Sequence, residues 1–227
     1  MEKKRGYQLH LSRGDSDLKN AQGRTRKFEK IIRVLHDFRP ETRSLTCLDI
    51  GCSSGIITSL LGEHFQEAIG IDIDEEALEY AQTHSASTNV FFLKADSMAL
   101  PLPGRSMDVV VCNHIYEHVP EAKRMLDEIF RVLKDDGFCY FSAGNRWMIM
   151  EGHYGLPFLS WVPKPVAHQY LKLAKKGDYY YEEHLSLWGL RRLVKSFMIH
   201  DYTLPVIRDP EKYFVTDLVD PISFKYK

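Results

Sequence analysis

The chain has 227 residues, 44% of them hydrophobic and 27% charged, a size and balance suited to one soluble domain with its own core. Thirty Lys and Arg against 31 Asp and Glu leave a net charge of −1, which argues against a globally basic nucleic-acid binder. Cys47, Cys52, Cys112 and Cys139 form no C-x-x-C pair, the N-terminus lacks a signal-peptide core, and no apolar run approaches membrane-spanning length; together these point to a cytoplasmic protein with reduced thiols.

In chain order, residues 16–38 read as a helix, with Phe28, Ile31, Ile32 and Leu35 on one stripe and "RP" at 39–40 as its stop. "SLTCLDI" (44–50) reads as a buried strand and "GIITSLLGEHF" as a short helix. "EAIGIDI" (67–73) is a second strand, followed by the helix "DEEALEYAQTH", whose acids sit where the helix dipole favours them. "NVFFLKAD" gives a third strand and "SMDVVVCN" (106–113) a fourth, too apolar for a strand with a solvated face. Ala122, Met125, Leu126, Ile129 and Leu133 mark one face of a helix running to "KDDG", and "GFCYFSA" (137–143) is a fifth strand. Strands alternating with helices in this way predict βαβ units and a parallel sheet.

The rhythm breaks after 145. Residues 146–185 are rich in aromatics, Gly and Pro and too long for a plain connection, so an insertion or lid is expected there. "SLWGLRRLVKSF" (186–197) resumes as a helix, and "MIHDYTLPVI" with "YFVTDLV" is expected to supply a final pair of strands. No internal repeat divides the chain, so residues 1–227 read as a single domain with an N-terminal helical cap over 1–40.

In "LDIGCSSG", Gly51 and Gly55 lie between a strand and a helix, where a missing Cβ lets a ligand approach the backbone and the helix start offers free N–H groups. Turn geometry alone also asks for glycine there. Asp72 ends the next strand, where an acid can accept hydrogen bonds from both ribose hydroxyls of an adenosine ligand. Asp96, followed by Ser97, ends the third. Each acid by itself could be a helix cap, but Asp49, Asp72 and Asp96 at three consecutive strand ends point to a ligand at the carboxyl edge of the sheet. Asp49, two residues before the first glycine, would repel a pyrophosphate but suits a ligand carrying a sulfonium and an ammonium group.

"CLDIGCSSG", "GIDIDEEAL", "LKADSMALPLPGRSMDVVVCNHIYEHV" and "RVLKDDGFCYFS" resemble the successive motifs of class I S-adenosylmethionine-dependent methyltransferases, in the branch that includes the ubiquinone and menaquinone biosynthesis enzymes. The resemblance is strong over 44–143 and weak over the helix at 186–197 and its terminal strands. It implies an α/β fold with a doubly wound, seven-stranded, mostly parallel Rossmann-like sheet whose last strand is reversed. It also implies S-adenosylmethionine as cofactor. By position, Asp49, Gly51, Cys52 and Gly55 would border its methionine part, Asp72 would hold the ribose and Ile73 would cover the adenine. Asp96 and Ser97 would face the adenine edge, and Asn113 would close the site near the sulfur. Ser53 departs from the pattern, standing where a middle glycine is common.

"NHIYEHVP" (113–120) also reads H-x-x-E-H across His114, Glu117 and His118, an order known from zinc peptidases. That motif needs both histidines on one continuous helix. His114 follows directly on a strand, Pro120 more naturally opens the next helix, and the sequence offers no third ligand, so no metal site is expected. His118 is instead a candidate general base beside the methyl group, kept neutral by the helix dipole; its rival role is to shape the turn, with Glu117 satisfying backbone donors. His153 is an independent candidate in the insertion.

The sulfonium is already electrophilic, so such a site has mainly to align acceptor, methyl and sulfur and to exclude water. Trp147, Tyr154, Phe158, Trp161 and Tyr170 could line a pocket for an aromatic or lipidic acceptor, or form a satellite core. "PFLSWVPKP" with Lys172, Lys175 and Lys176 could touch a membrane surface, and Arg13, Arg24 or Arg26 could pair with the cofactor carboxylate. The favoured reading is methyl transfer to a small molecule, with O-methylation ahead of C- and N-methylation. Its rivals are a nucleotide-dependent oxidoreductase, a cofactor-binding regulator without chemistry, and an RNA methyltransferase, which the neutral charge disfavours. Oligomeric state is not legible.

Overall fold

The computed structural model describes residues 20–218. Helix α1 (Ala21–Phe38) begins at Asn20, whose Oδ1 accepts from the Gly23 N–H at 3.1 Å, and buries Phe28, Ile31, Ile32, Val34 and Leu35. Then follow β1 (Thr46–Ile50), α2 (Ile56–Leu61), β2 (Glu67–Asp72), α3 (Glu75–His84) and β3 (Val90–Lys94). β4 (Met107–Asn113), α4 (Ala122–Val132) and β5 (Leu133–Ser142) complete the alternating part. The five strands form one parallel sheet in the order β3-β2-β1-β4-β5.

Side-chain alternation explains why β4 is apolar throughout. Val109 and Val111 pack with Ile31, Leu35, Leu61 and Phe65 on the α1 side. Val110 and Cys112 pack with Leu48, Ile50, Met125 and Ile129 on the α4 side. Burying both faces leaves the strand ends as the place where polar chemistry can gather. Winding runs outward from β1 in one direction and from β4 in the other, so a crevice opens beyond the carboxyl ends of these two strands. The cysteines are all free; Cys47, Cys52 and Cys112 are buried among core residues.

After β5 come a small hairpin of β6 (Met150–Glu151) and β7 (Leu156–Pro157), a 3-10 turn at Leu159–Trp161, and α5 (Lys164–Leu173). Leu159, Ala167, Leu171 and Tyr180 make a satellite core with Tyr154 and Tyr170 against it. Trp147, Phe158 and Trp161 remain partly exposed and meet edge to face, at 5.4 Å for the tryptophan pair and 5.1 Å for Phe158 with Trp161. Helix α6 (Leu187–Leu193) is shorter than expected.

Among the described residues the sheet has five of the expected seven strands. Residues 203–208 form helix α7 (Thr203–Arg208), and 210–218 are turns apart from Val215; residue 219, also expected in a strand, lies outside the described residues. Tyr213 and Val215 do not extend the sheet but pack on Val34 of α1. The outer edge of β5 is consequently bordered by an apolar trough of about 1300 Å³, lined by Phe38, Phe130, Phe138, Tyr140 and Phe197 among others.

Candidate active site

The loop after β1 is shaped by two left-handed glycines. Gly51 has φ 72° and Gly55 φ 73°; a Cβ would lie 2.3 Å from Ile115 Cδ1 at the first and 2.6 Å from Phe92 and Ala81 at the second. The N–H groups of Gly51 and Cys52 both donate to the Ile71 carbonyl at 2.9 Å, strapping the loop to β2. Ser53, where a glycine was expected, also has a positive φ of 51° and donates its N–H to Asp72 Oδ2 at 2.7 Å.

The sequence-derived candidates divide by exposure. Asp72 ends β2 and is half-buried, with Oδ1 accepting from the Asp74 N–H at 2.9 Å. Burial raises its pKa, and the surrounding backbone N–H groups of Asp74, Ser53 and Ile73 work against that rise. Ile73 is half-buried beside it. Asp96 lies two residues beyond β3, its Oδ1 accepting from the Met98 N–H at 2.8 Å, with Ser97 half-buried in the same turn. Asp49 is turned inward, 5% exposed, and accepts from the Thr58 hydroxyl at 2.7 Å. Burial pushes its carboxyl up to about 7, against the opposing Thr58 hydrogen bond and the charge of Arg24, with Asp72 adding to the rise. Cys52 is buried and its thiol pushed well up by burial, so it offers backbone rather than reactivity. Arg26 pairs with Asp217 at 3.5 Å; Arg13 lies outside the described residues.

Two buried polar atoms border this crevice without a hydrogen-bond partner: Ser53 Oγ in the loop and Asn113 Oδ1 at the end of β4. Orphaned acceptors and donors at a strand rim are what a polar ligand would satisfy.

Beyond β4 the chain turns at His114, φ 58°, and runs through His118 before α4 begins at Ala122. The histidines therefore do not share a helix. His114 Nε2 lies 3.1 Å from Ser142 Oγ, and its Nδ1 is 3.4 Å from Glu117 Oε1. Glu117 is fully buried; burial acts to raise its pKa, and the His114 interaction outweighs this to leave it lowered. The segment before α6 is stitched to this turn, since the Glu183 N–H donates to the Glu117 carbonyl at 3.0 Å and the Leu185 N–H to the Tyr116 hydroxyl at 3.0 Å.

The insertion brings its hairpin to the same place. His153 Nε2 stands 3.1 Å from His118 Nε2, and His153 Nδ1 stands 2.7 Å from Glu151 Oε1. Glu151, on β6, is fully buried and also takes the N–H groups of His153 and Tyr154 at 2.9 and 3.0 Å and His184 Nε2 at 3.3 Å. Burial would raise the Glu151 carboxyl, but these partners hold it down at about 2. Burial likewise acts to lower the His153 pKa, and Glu151 reverses the sign to leave it raised. His118 Nδ1 lies 3.9 Å from Glu182 Oε1. Glu151, Glu182 and His184 were not singled out from sequence. The available signals were the pairs Glu151-x-His153 and Glu182-x-His184, which carry no periodicity and no known spacing.

Residues 48–141 match the family model described as a methyltransferase domain. A ubiquinone biosynthesis O-methyltransferase of Pseudomonas fluorescens is 33% identical over 132 residues, covering 52% of this chain and 56% of that protein. Its counterpart in Idiomarina loihiensis is 29% identical over 141 residues, covering 58% and 56%. The chain thus spans about half the length of the curated relatives it matches. Among solved structures, the YcgJ protein from Bacillus is similar with a TM-score of 0.52 at 20% identity, covering 75% of this chain and 67% of that one. A SAM-dependent methyltransferase from Thermotoga maritima gives 0.50 at 20% identity, covering 75% and 71%; at such identities the likeness is one of fold. Over residues 48–141 the chain thus resembles a methyltransferase domain, and the motifs read from its sequence imply S-adenosylmethionine as the cofactor. The glycine cradle, the half-buried Asp72 and the orphaned Ser53 and Asn113 atoms fit that cofactor. In the described residues no helix is long and apolar enough to cross a membrane.

Proposed function

We propose that the protein is an S-adenosylmethionine-dependent methyltransferase acting on a small-molecule acceptor, with a hydroxyl as the favoured acceptor group. The observation that carries this is the meeting of two unlike surfaces at one strand rim. On one side is the Gly51–Gly55 cradle with Asp72 and two orphaned polar atoms; on the other is the imidazole pair of His118 and His153. The name of the relatives, ubiquinone biosynthesis O-methyltransferase, favours oxygen as the atom methylated.

In this reading bound S-adenosylmethionine supplies an electrophilic methyl on a cationic sulfonium. Asp72 accepts the ribose hydroxyls, Asp49, Gly51, Cys52 and Gly55 border the methionine end, Ile73 covers the adenine, and Asp96 with Ser97 reads its edge. Asn113 closes the crevice next to the sulfur. Arg24, whose charge already acts on Asp49, is the candidate partner of the cofactor carboxylate. His118 and His153 deal with the acceptor hydroxyl, whose proton must leave as the methyl arrives. The insertion over 146–185 excludes water and, through Trp147, Phe158 and Trp161, receives an aromatic or lipidic acceptor.

Methyl-labelled S-adenosylmethionine incubated with hydroxyl, amine and enol acceptors tests this. Label is expected in hydroxyl acceptors; binding of the cofactor without transfer to any acceptor would refute the enzymatic reading.

A further inference from the structure

The titratable side chains on the acceptor side are arranged in two shells, with only the glutamates fully or nearly fully buried. The inner shell is Glu117, His118 and His153, each offering one ligand atom, all within 4.8 Å of one another. The two Nε2 atoms face each other at 3.1 Å, close to the separation of about 3–3.5 Å that two nitrogens adopt when each lies about 2.1 Å from one zinc-class ion. The outer shell is a carboxylate behind each imidazole: Glu151 Oε1 at 2.7 Å from His153 Nδ1, and Glu182 Oε1 at 3.9 Å from His118 Nδ1. The Glu151 carboxylate, at hydrogen-bond distance, keeps a proton on His153 Nδ1 and leaves the Nε2 lone pair to bind a metal, the usual outer partner of a ligating histidine, while Glu182 at 3.9 Å faces His118 as a nearby charge.

We propose that Glu117, His118 and His153 form a binding site for one divalent transition-metal ion of the zinc class, with Glu151 orienting the His153 imidazole and Glu182 facing that of His118. Two nitrogens and one carboxylate oxygen suit such an ion better than magnesium or calcium, which prefer all-oxygen shells. Three protein ligands leave a coordination position for an oxygen of the acceptor. Burial supports the same site. Glu117 is fully buried, and a divalent ion bound beside it compensates the charge of a buried carboxylate.

A second group, Glu151, His153 and His184, also brings ligand atoms within 4.8 Å. It is the poorer choice, because the Glu151 oxygens already serve four N–H groups. The H-x-x-E-H order at 114–118 thus contributes two ligands without forming the helical zinc motif, and the third comes from 35 residues further along.

The test needs no methyl acceptor, so it stands or fails separately from the transferase reading. The full chain, stripped with a chelator, is titrated with zinc chloride by calorimetry and with cobalt(II) by visible absorption. One equivalent of zinc and an absorption band characteristic of four- or five-coordinate cobalt are expected. His153→Ala and His118→Ala should each weaken zinc binding at least tenfold and abolish the band while melting as the wild type does. His84→Ala, on the remote helix α3, should change neither. Magnesium chloride should not compete. Absence of stoichiometric zinc binding, or binding that survives both the His118 and His153 replacements, would overturn the proposal and leave the pair as hydrogen-bonded imidazoles.

Discussion

The backbone N–H of Ser53 donates to Asp72 Oδ2 at 2.7 Å, joining the loop after β1 to the end of β2. One carboxylate therefore holds the loop in its left-handed path, and each of its oxygens, accepting one backbone N–H, retains a lone pair for a ligand. Asp72→Ala should lose both roles. Cofactor binding is expected to weaken by about 1–3 kcal/mol, the range for hydrogen bonds to a charged group, or about 5- to 150-fold by calorimetry. Unchanged affinity would remove Asp72 from the ribose.

The Asp49 carboxyl, with a pKa of about 7 in the folded chain against 3.8 for the free side chain, gives a pH signature. A folded-state pKa above the unfolded value means the native state holds the proton longer. Stability from this group is present below about pH 4 and is lost as pH rises through 7. Thr58, Arg24, Asp72 and Cys52 are the polar and charged groups that act with it. A cationic ligand favours the ionised form, so cofactor affinity should climb towards pH 7 and then level, with protons released on binding. Calorimetry in buffers of different ionisation heat reads this; Asp49→Asn should show neither proton release nor the slope in thermal stability.

Gly55→Ala should destabilise the domain. The added Cβ meets Phe92 and Ala81 at 2.6 Å in a residue with φ 73°. Strain and overpacking of this kind each cost about 1–3 kcal/mol, a drop that chemical denaturation would resolve. A melt unchanged from the wild type would show that the loop can refold around a side chain.

His118→Ala and His153→Ala should slow methyl transfer by about 10²-fold or more, the scale of a lost group acting on the acceptor hydroxyl, with cofactor affinity near normal. Wild-type turnover in either variant would take that residue out of the chemistry.

The parallel sheet was legible because Val109–Val111 is apolar on both faces, and because Gly51 and Gly55 mark the turn after β1 while Asp72 ends β2. The final strands were misread. "MIHDYTLPVI" alternates weakly, but Thr203 to Arg208 closes as helix α7, and Phe214 adopts φ 55°, outside the extended region of a regular strand. The acceptor side was half legible. His118 and His153 were candidates, yet their meeting depends on the β6–β7 hairpin and on Glu151, contacts made across 33 to 35 residues that local patterning does not encode. The expectation of no third ligand beside His114 and His118 did not weigh His153, which lies 35 residues further along.

The most direct measurement is a crystal structure with S-adenosylhomocysteine. The account predicts density in the crevice beyond β1 and β4, with the ribose on Asp72, the adenine between Ile73 and Asp96, and the sulfur facing Asn113 and the His118–His153 pair. Density confined to the apolar trough beside β5, or a crevice left without ligand at saturating concentration, would contradict it.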